Sequence, residues 1–115
     1  KLSKIKRVDV FYDEKYVNKI VITYRNNTKI SHGKLEGTLL PIEVQQDLKI
    51  TEVRGTYDDS YITSLVIVTS DGVEHTTTGQ PGTNYFEFKK EGFFINGFLG
   101  RSGDRIDAIG VLEAK

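Results

Sequence analysis

The segment that follows Gly100 combines two carboxylates with glycine. Asp104 and Asp107 are three residues apart, and Gly103 immediately precedes the first of them. Two neighbouring carboxylates can act as acid and base in glycoside hydrolysis. A carboxylate beside bare main-chain amides can instead hold a polyhydroxylated ligand, because charged acceptors make the stronger hydrogen bonds and glycine lets the backbone approach closely. Nothing else in the chain supplies a hydrolase cleft, so we expect no catalytic residues.

Other site chemistries lack the residues that they require. The 115-residue chain contains no cysteine, which excludes a thiolate nucleophile, a disulfide framework and a thiolate metal site. His32 and His75 are solitary, and no carboxylate–histidine spacing indicates zinc. We therefore expect neither a metal nor any other cofactor.

Charge and length restrict the partners and the number of domains. Sixteen basic and sixteen acidic side chains give a formal net charge of zero, so there is no basic excess to attract nucleic acid. No apolar run approaches the ~20 residues of a membrane-spanning helix, and we expect no transmembrane segment. The length indicates one domain over residues 1–115.

The chain is predicted to be all-β. Short runs of alternating apolar and polar residues, rich in β-branched and aromatic types, are separated by turn sequences such as Ser70-Asp71-Gly72. The clearest runs are residues 8–11, 19–24, 64–69, 85–88 and 109–112. The best helix candidate is residues 42–48, where Val44 between polar residues fits an edge strand equally well.

An internal repeat predicts the architecture. Residues 8–22 align without gaps on residues 53–67, and residues 97–111 form a weaker third copy. Three such copies predict three equivalent antiparallel sheets of Greek-key topology, packed around a pseudo-threefold axis so that each buries one face.

The third copy is predicted to be incomplete. Residues 29–33 with 39–44 complete the first unit, and residues 73–78 with 84–89 complete the second. No such pair follows the third copy before Lys115. The missing strands come from residues before Ile5, from sequence absent here, or from another chain; otherwise one sheet has an open edge, which favours association.

Residues 97–111 (GFLGRSGDRIDAIGV) resemble the C-terminal hallmark of jacalin-related lectins. That family combines a G-F-x-G-R-S-G stretch with a G-x-x-x-D loop and a following A-I-G-V. The resemblance extends from Ile5 to Glu113 and implies the β-prism I fold. It further implies recognition of mannose or glucose, or of galactose, without a metal and without catalysis.

The resemblance places one saccharide site in the third copy. G-x-x-x-D occurs from Gly55, from Gly100 and from Gly103, and a pattern this short has little specificity alone. Only the occurrence from Gly103 to Asp107 lies in the loop between the paired strands of its repeat, where the family binds sugar. The corresponding loops of the first two copies lack the pattern, so we expect them to bind no sugar.

Each residue of the predicted site has a chemical role. Asp107 can accept hydrogen bonds from two neighbouring sugar hydroxyls, and Gly103 lets the backbone come close. By resemblance, the amides of Asp104 and Arg105 donate to the ring and primary-hydroxyl oxygens. The loop before Asn84 resembles the position from which relatives add selectivity; a plain turn is an equally supported interpretation.

Two departures from the family pattern favour an alternative function. Many members have an aromatic residue where this chain has Arg105, which could instead reach an acidic sugar or a sulfate. Residues 1–4 contain no glycine, although these lectins normally complete the site with a glycine-rich N-terminal loop. The alternative is a protein-interaction or assembly domain that keeps the prism and has lost sugar binding.

The expected partners follow from a single shallow site. These are mono- or oligosaccharides and the surfaces of glycoproteins or glycolipids. One such site binds weakly, so we expect avidity through oligomerisation or attachment to a larger chain. Because the sequence begins at Lys1 and contains no methionine, we expect a fragment of a larger secreted protein in which this domain has a targeting role.

Overall fold

The chain folds into ten antiparallel β-strands in the computed structural model, which describes residues 3–102 and 106–115. The strands are β1 (Ile5–Tyr12), β2 (Val17–Tyr24), β3 (Lys29–Gly33), β4 (Thr38–Glu43), β5 (Ile50–Tyr57), β6 (Ile62–Thr69), β7 (Glu74–Thr76), β8 (Asn84–Phe88), β9 (Phe94–Ser102) and β10 (Ile106–Ala114). The all-β prediction is confirmed.

The helix candidate at residues 42–48 is wrong, and its edge-strand alternative is correct. β4 ends at Glu43, and the amide of Val44 continues the edge by donating to the carbonyl of Lys6 at 2.9 Å. Nowhere in the described ranges does the chain form a helix with the length and apolar character needed to cross a membrane.

Two sheets repeat the same Greek-key order. The strand order of the first sheet is β3-β2-β1-β4. The corresponding order in the second sheet is β7-β6-β5-β8, because β8 pairs with β5, β5 pairs with β6, and β6 pairs with β7. Val8 lies opposite Ile22 in the first sheet, and Val53 lies opposite Ile67 in the second, 45 positions later in both strands. The two strands that complete each unit therefore lie on opposite edges of its central hairpin.

The third copy consists of the hairpin β9–β10. In the described part of the chain, β10 pairs with β9 alone, and β9 reaches the second sheet through one bridge, Ile50 opposite Ile95. This hairpin agrees with the prediction that the third unit has no closing strand pair within the sequence.

The third hairpin corrects the alignment of the repeat. Tyr12 pairs with Val17 and Tyr57 with Ile62, whereas Ser102 pairs with Ile106. Four residues separate the strands of the first two hairpins, but only three separate those of the third. The gap in the repeat therefore lies in the turn, so that Phe98, and not Gly97, is the counterpart of Val8 and Val53.

One core lies between the inward faces of all three units. It includes residues from the first sheet (Val8, Val10, Ile20, Ile22), the second (Val53, Leu65, Ile67) and the third (Ile95, Phe98). The residues that begin the second strand of each hairpin are also buried, namely Val17, Ile62 and Ile106. Their burial fixes where each hairpin turn ends, because a shift by one residue would point these side chains outward.

Candidate functional site

The turns between β1 and β2 and between β5 and β6 are closed by an aspartate. Oδ1 of Asp13 accepts hydrogen bonds from the amides of Lys15 and Tyr16, both at 2.8 Å. Oδ1 of Asp58 accepts from the amides of Ser60 and Tyr61 at the same distance. Both carboxylates thus stabilise their own turns.

The electrostatics of the second turn agree with this structural role. The amides of Tyr61 and Ser60 lower the pKa of Asp58 by stabilising its ionised form, and the hydroxyl of Tyr16 adds a further hydrogen bond. The rings of Tyr16 and Tyr61 meet edge to face with centroids 5.0 Å apart. The first two turns therefore lie side by side at one end of the molecule.

Asn18 and Thr63, which follow these two turns, also form hydrogen bonds within the protein. Asn18 is fully buried, and its Nδ2 donates to Oδ2 of Asp13 at 3.1 Å and to the carbonyl of Glu36 at 3.2 Å. The buried hydroxyl of Thr63 lies 2.7 Å from that of Thr56. Asn18 and Thr63 directly follow the first residue of β2 and β6, which is the place that Asp107 has in β10.

The third turn differs in the residue types at these positions. Gly103 directly follows the last residue of β9, as Asp13 and Asp58 directly follow β1 and β5. In the third hairpin, glycine therefore occupies the position directly after the first strand that the turn-closing aspartate occupies in the other two. Asp107 follows the buried Ile106 on β10, at the position that the neutral residues Asn18 and Thr63 occupy in the other two hairpins.

The predicted site is only partly within the described structure. Gly103, Asp104 and Arg105 lie outside the described residues, as does the side chain of Asp107, whose backbone belongs to β10. Their contacts with a sugar stay predictions. Asn84 is described: it is exposed, begins β8 and lies opposite Tyr57.

The loop before Asn84 is held against the first two turns. The amide of Gln80 donates to the carbonyl of Glu14, and that of Gly82 donates to the hydroxyl of Thr56, both at 2.9 Å. A Cβ atom at Gly79 would lie 2.7 Å from the carbonyl oxygen of Asp13. The sequence did not predict these contacts, because only the tertiary structure brings this loop to the turns. A contact of Asn84 with the third turn stays a prediction.

Neither histidine is associated with a group of potential metal ligands. Within the described ranges, His, Asp and Glu form no cluster of three or more that could hold a metal ion. His75 contacts the hydroxyl of Thr69, with Nε2 3.2 Å from Oγ1. The half-buried ring of His32 packs near Gly100 on β9.

Comparison with known proteins connects this architecture with one family. Residues 1–112 match the family described as the Jacalin-like lectin domain. Myrosinase-binding protein 2 of Arabidopsis thaliana is 35% identical over 112 residues, which are 92% of this chain but 17% of that protein. Horcolin of Hordeum vulgare is 34% identical over 104 residues, covering 82% of this chain and 71% of horcolin. The chain therefore spans less than a fifth of the Arabidopsis protein.

A solved structure shows the same fold. The mannose-binding lectin from Champedak superposes with a TM-score of 0.84 at 28% identity, covering 98% of this chain and 83% of that one. The predicted β-prism fold is confirmed, and so are the expected carbohydrate binding and the absence of enzymatic activity. The chain belongs to the jacalin-like lectin family.

Proposed function

We propose that this domain binds saccharides of the mannose and glucose type at its third turn, without a metal. The observation that carries the proposal is the difference between the three turns. Asp13 and Asp58 are used by their own turn amides, whereas the third turn has Gly103 at that position. The Champedak structure, described as a mannose-binding lectin, supports the choice of sugar class.

The roles of the residues follow from the chemistry of a sugar hydroxyl, which donates and accepts at once. Asp107 accepts hydrogen bonds from two adjacent hydroxyls, and the amides of Asp104 and Arg105 donate to ring and primary-hydroxyl oxygens. Gly103 allows close approach of the main chain. Acceptors and donors are then both present, so no cation is needed to bind the sugar. Asn84 contributes selectivity.

Removing the carboxylate of Asp107 should abolish most of the binding. Hydrogen bonds to a charged group contribute about 1.5–3 kcal/mol, so Asp107→Ala should weaken binding of methyl α-mannoside at the third turn by roughly 10- to 100-fold in isothermal titration calorimetry. Asp59→Ala is the matched control, since it removes the same charge from the exposed second turn. The affinity should be the same before and after dialysis against EDTA.

Each possible failure identifies a different error. Equal affinity of Asp107→Ala and the native chain would show that the third turn does not bind the sugar. Loss of binding after EDTA treatment would contradict metal independence, and a preference for galactosides would contradict the sugar class. A native chain that binds nothing on a glycan array would instead support the protein-interaction alternative, in which Arg105 marks a lost sugar site.

A further inference from the structure

The outward face of the second sheet contains a depression that the repeat does not predict. Its volume is about 420 Å³. The side chains that line it are Arg54, Thr56, Ser64, Val66, Tyr85 and Glu87. They share one face, because Thr56 lies opposite Ser64 and Tyr85, and Arg54 lies opposite Val66 and Glu87.

Comparison with the first sheet explains why the depression exists. Forty-five positions earlier, Phe11 and Lys19 form the cross-strand pair that corresponds to Thr56 and Ser64. Large side chains on the first sheet are therefore replaced by two small hydroxyl residues on the second. The small side chains leave a space above the second sheet. Above the first sheet, the corresponding space is filled by its larger side chains.

The wall of the depression is an almost fully exposed aromatic ring. Tyr85 is 81% exposed, the largest exposure among the large apolar and aromatic side chains of the described residues. Val66 is half-buried at the centre of the sheet and provides an apolar floor. Together they offer the kind of surface against which the C–H face of a pyranose ring packs.

Polar groups of fixed position surround this apolar surface. The hydroxyl of Thr56 accepts a hydrogen bond from the amide of Gly82 and contacts the hydroxyls of Thr63 and Ser64. The Ser64 hydroxyl is therefore anchored beside the depression. Glu87 is exposed, and no ion pair involves its carboxylate in the described part of the chain.

The charges favour a neutral ligand over an anion. Arg54 is tethered by two carboxylates, with Nη1 2.7 Å from Glu52 and Nη2 2.9 Å from Glu74. Its charge is thus already compensated, and Glu87 would repel an anion. A neutral polyol, in contrast, can donate hydroxyl protons to the carboxylate of Glu87.

We propose that this depression is a second saccharide site, which binds a neutral pyranose ring independently of the third turn. The ring packs on Tyr85 and Val66, and its hydroxyls hydrogen-bond to Glu87 and Ser64. The choice of a mannose-type ring rests on the proposed function, but the site shares no residue with Asp107. The domain would then be bivalent, so that one copy can bridge two branches of a glycan.

Amide-resolved NMR titration with methyl α-mannoside tests the second site. In the native chain we expect two sets of shifted amides, one around residues 103–108 and one in β5, β6 and β8 around the depression. Asp107→Ala should remove only the first set. Ser64→Lys, which introduces the residue found at the corresponding position of the first sheet, should fill the depression and remove only the second set.

A milder variant tests the aromatic contact. Tyr85→Leu introduces the type of residue present at Leu39, which lies opposite Phe11 in the first sheet. Because leucine lacks the flat ring face on which a pyranose packs, the second set should titrate with roughly 2- to 10-fold weaker affinity. Asp59→Ala should leave both sets unchanged.

The two proposals fail separately. Absence of the second set in the native chain at saturating sugar overturns the second site, as does its persistence in Ser64→Lys or its disappearance in Asp107→Ala. Absence of the first set, with the second intact, overturns the third turn as a sugar site and leaves the depression supported.

Discussion

At the scale of single residues, position in the hairpin distinguishes the two aspartates that stabilise their own turns from the one proposed to bind a ligand. Asp13 and Asp58 stand first in their turns, where two amides of the same turn converge on one carboxylate oxygen. Asp107 stands one residue beyond the buried Ile106, at a place where the other hairpins have neutral side chains. Under the proposed function, the same residue type stabilises the turn in two copies of the repeat and binds the ligand in the third.

The hydrogen bonds to Asp58 predict a pH-dependent contribution to stability. Its pKa is lowered in the folded state, chiefly by the amides of Tyr61 and Ser60. The stabilisation is therefore present above the unfolded-state pKa of about 4 and is lost as the pH falls through the folded-state pKa. Asp58→Asn should lower the free energy of unfolding clearly at pH 7 and much less at pH 3, as measured by urea denaturation.

Asp59→Asn provides the control for this measurement, because it removes a neighbouring carboxylate from the same turn. We expect it to have a smaller effect at pH 7 than Asp58→Asn. A gap between the native chain and Asp58→Asn that stays constant from pH 7 to pH 3 would contradict the electrostatic origin of the stabilisation.

At the scale of elements, one glycine permits the close contact at the edge of the first sheet. Gly33 ends β3 with φ of +99°, and a Cβ atom there would lie 2.0 Å from the carbonyl oxygen of Asn18. Asn18 is the buried residue that supports the first turn. The end of β3 and the support of this turn are therefore coupled by backbone contact.

Two glycine substitutions distinguish two losses of unfolding free energy: one caused by overlap with the backbone at Asn18, and one caused by positive φ alone. Gly72 also has positive φ, +87°, but a Cβ atom there would contact nothing within 4 Å. Gly72→Ala should cost about 1–2 kcal/mol through its φ alone. Gly33→Ala should cost about 1–3 kcal/mol more, because the added methyl group overlaps backbone. Equal unfolding free energies of the two variants in urea would contradict the contact.

At the scale of the whole molecule, the three units of the prism differ in completeness. β1 and β5 each have a hydrogen-bonded strand on both sides, whereas in the described part of the chain β10 pairs with β9 alone. The inner side of this hairpin still joins the core through Ile95 and Phe98. Stability should therefore be lowest at the outer edge of the third unit.

Native-state hydrogen exchange should reveal this difference. Amides of β10 that point away from β9 should exchange at rates close to those of unprotected amides, while amides of β1 and β5 require global opening. Strong and uniform protection along β10 in a dilute sample would contradict an open edge. Protection that appears only as the protein concentration rises would show that a second copy covers it.

Much of the fold could be predicted because it depends on local alternation and on repetition. The alternating runs locate most of the strands, and the aligned copies of the repeat place Val17, Ile62 and Ile106 at equivalent positions, all of which are buried. The family resemblance rests on residues 97–111, and the family it implies is confirmed. Sequence also distinguished the third turn from the first two, because its residue types differ.

Only the tertiary structure decided how those elements combine. The missing residue of the repeat lies in the third turn, which the pairing of Ser102 with Ile106 reveals and a gap-free alignment did not. The loop through Gln80 lies on the first turn, and the depression beside Tyr85 combines the hairpin of β5 and β6 with β8 from later in the sequence. The physical reason is the same in each case: alternation specifies which face a side chain occupies, but cross-strand register and packing specify its neighbours.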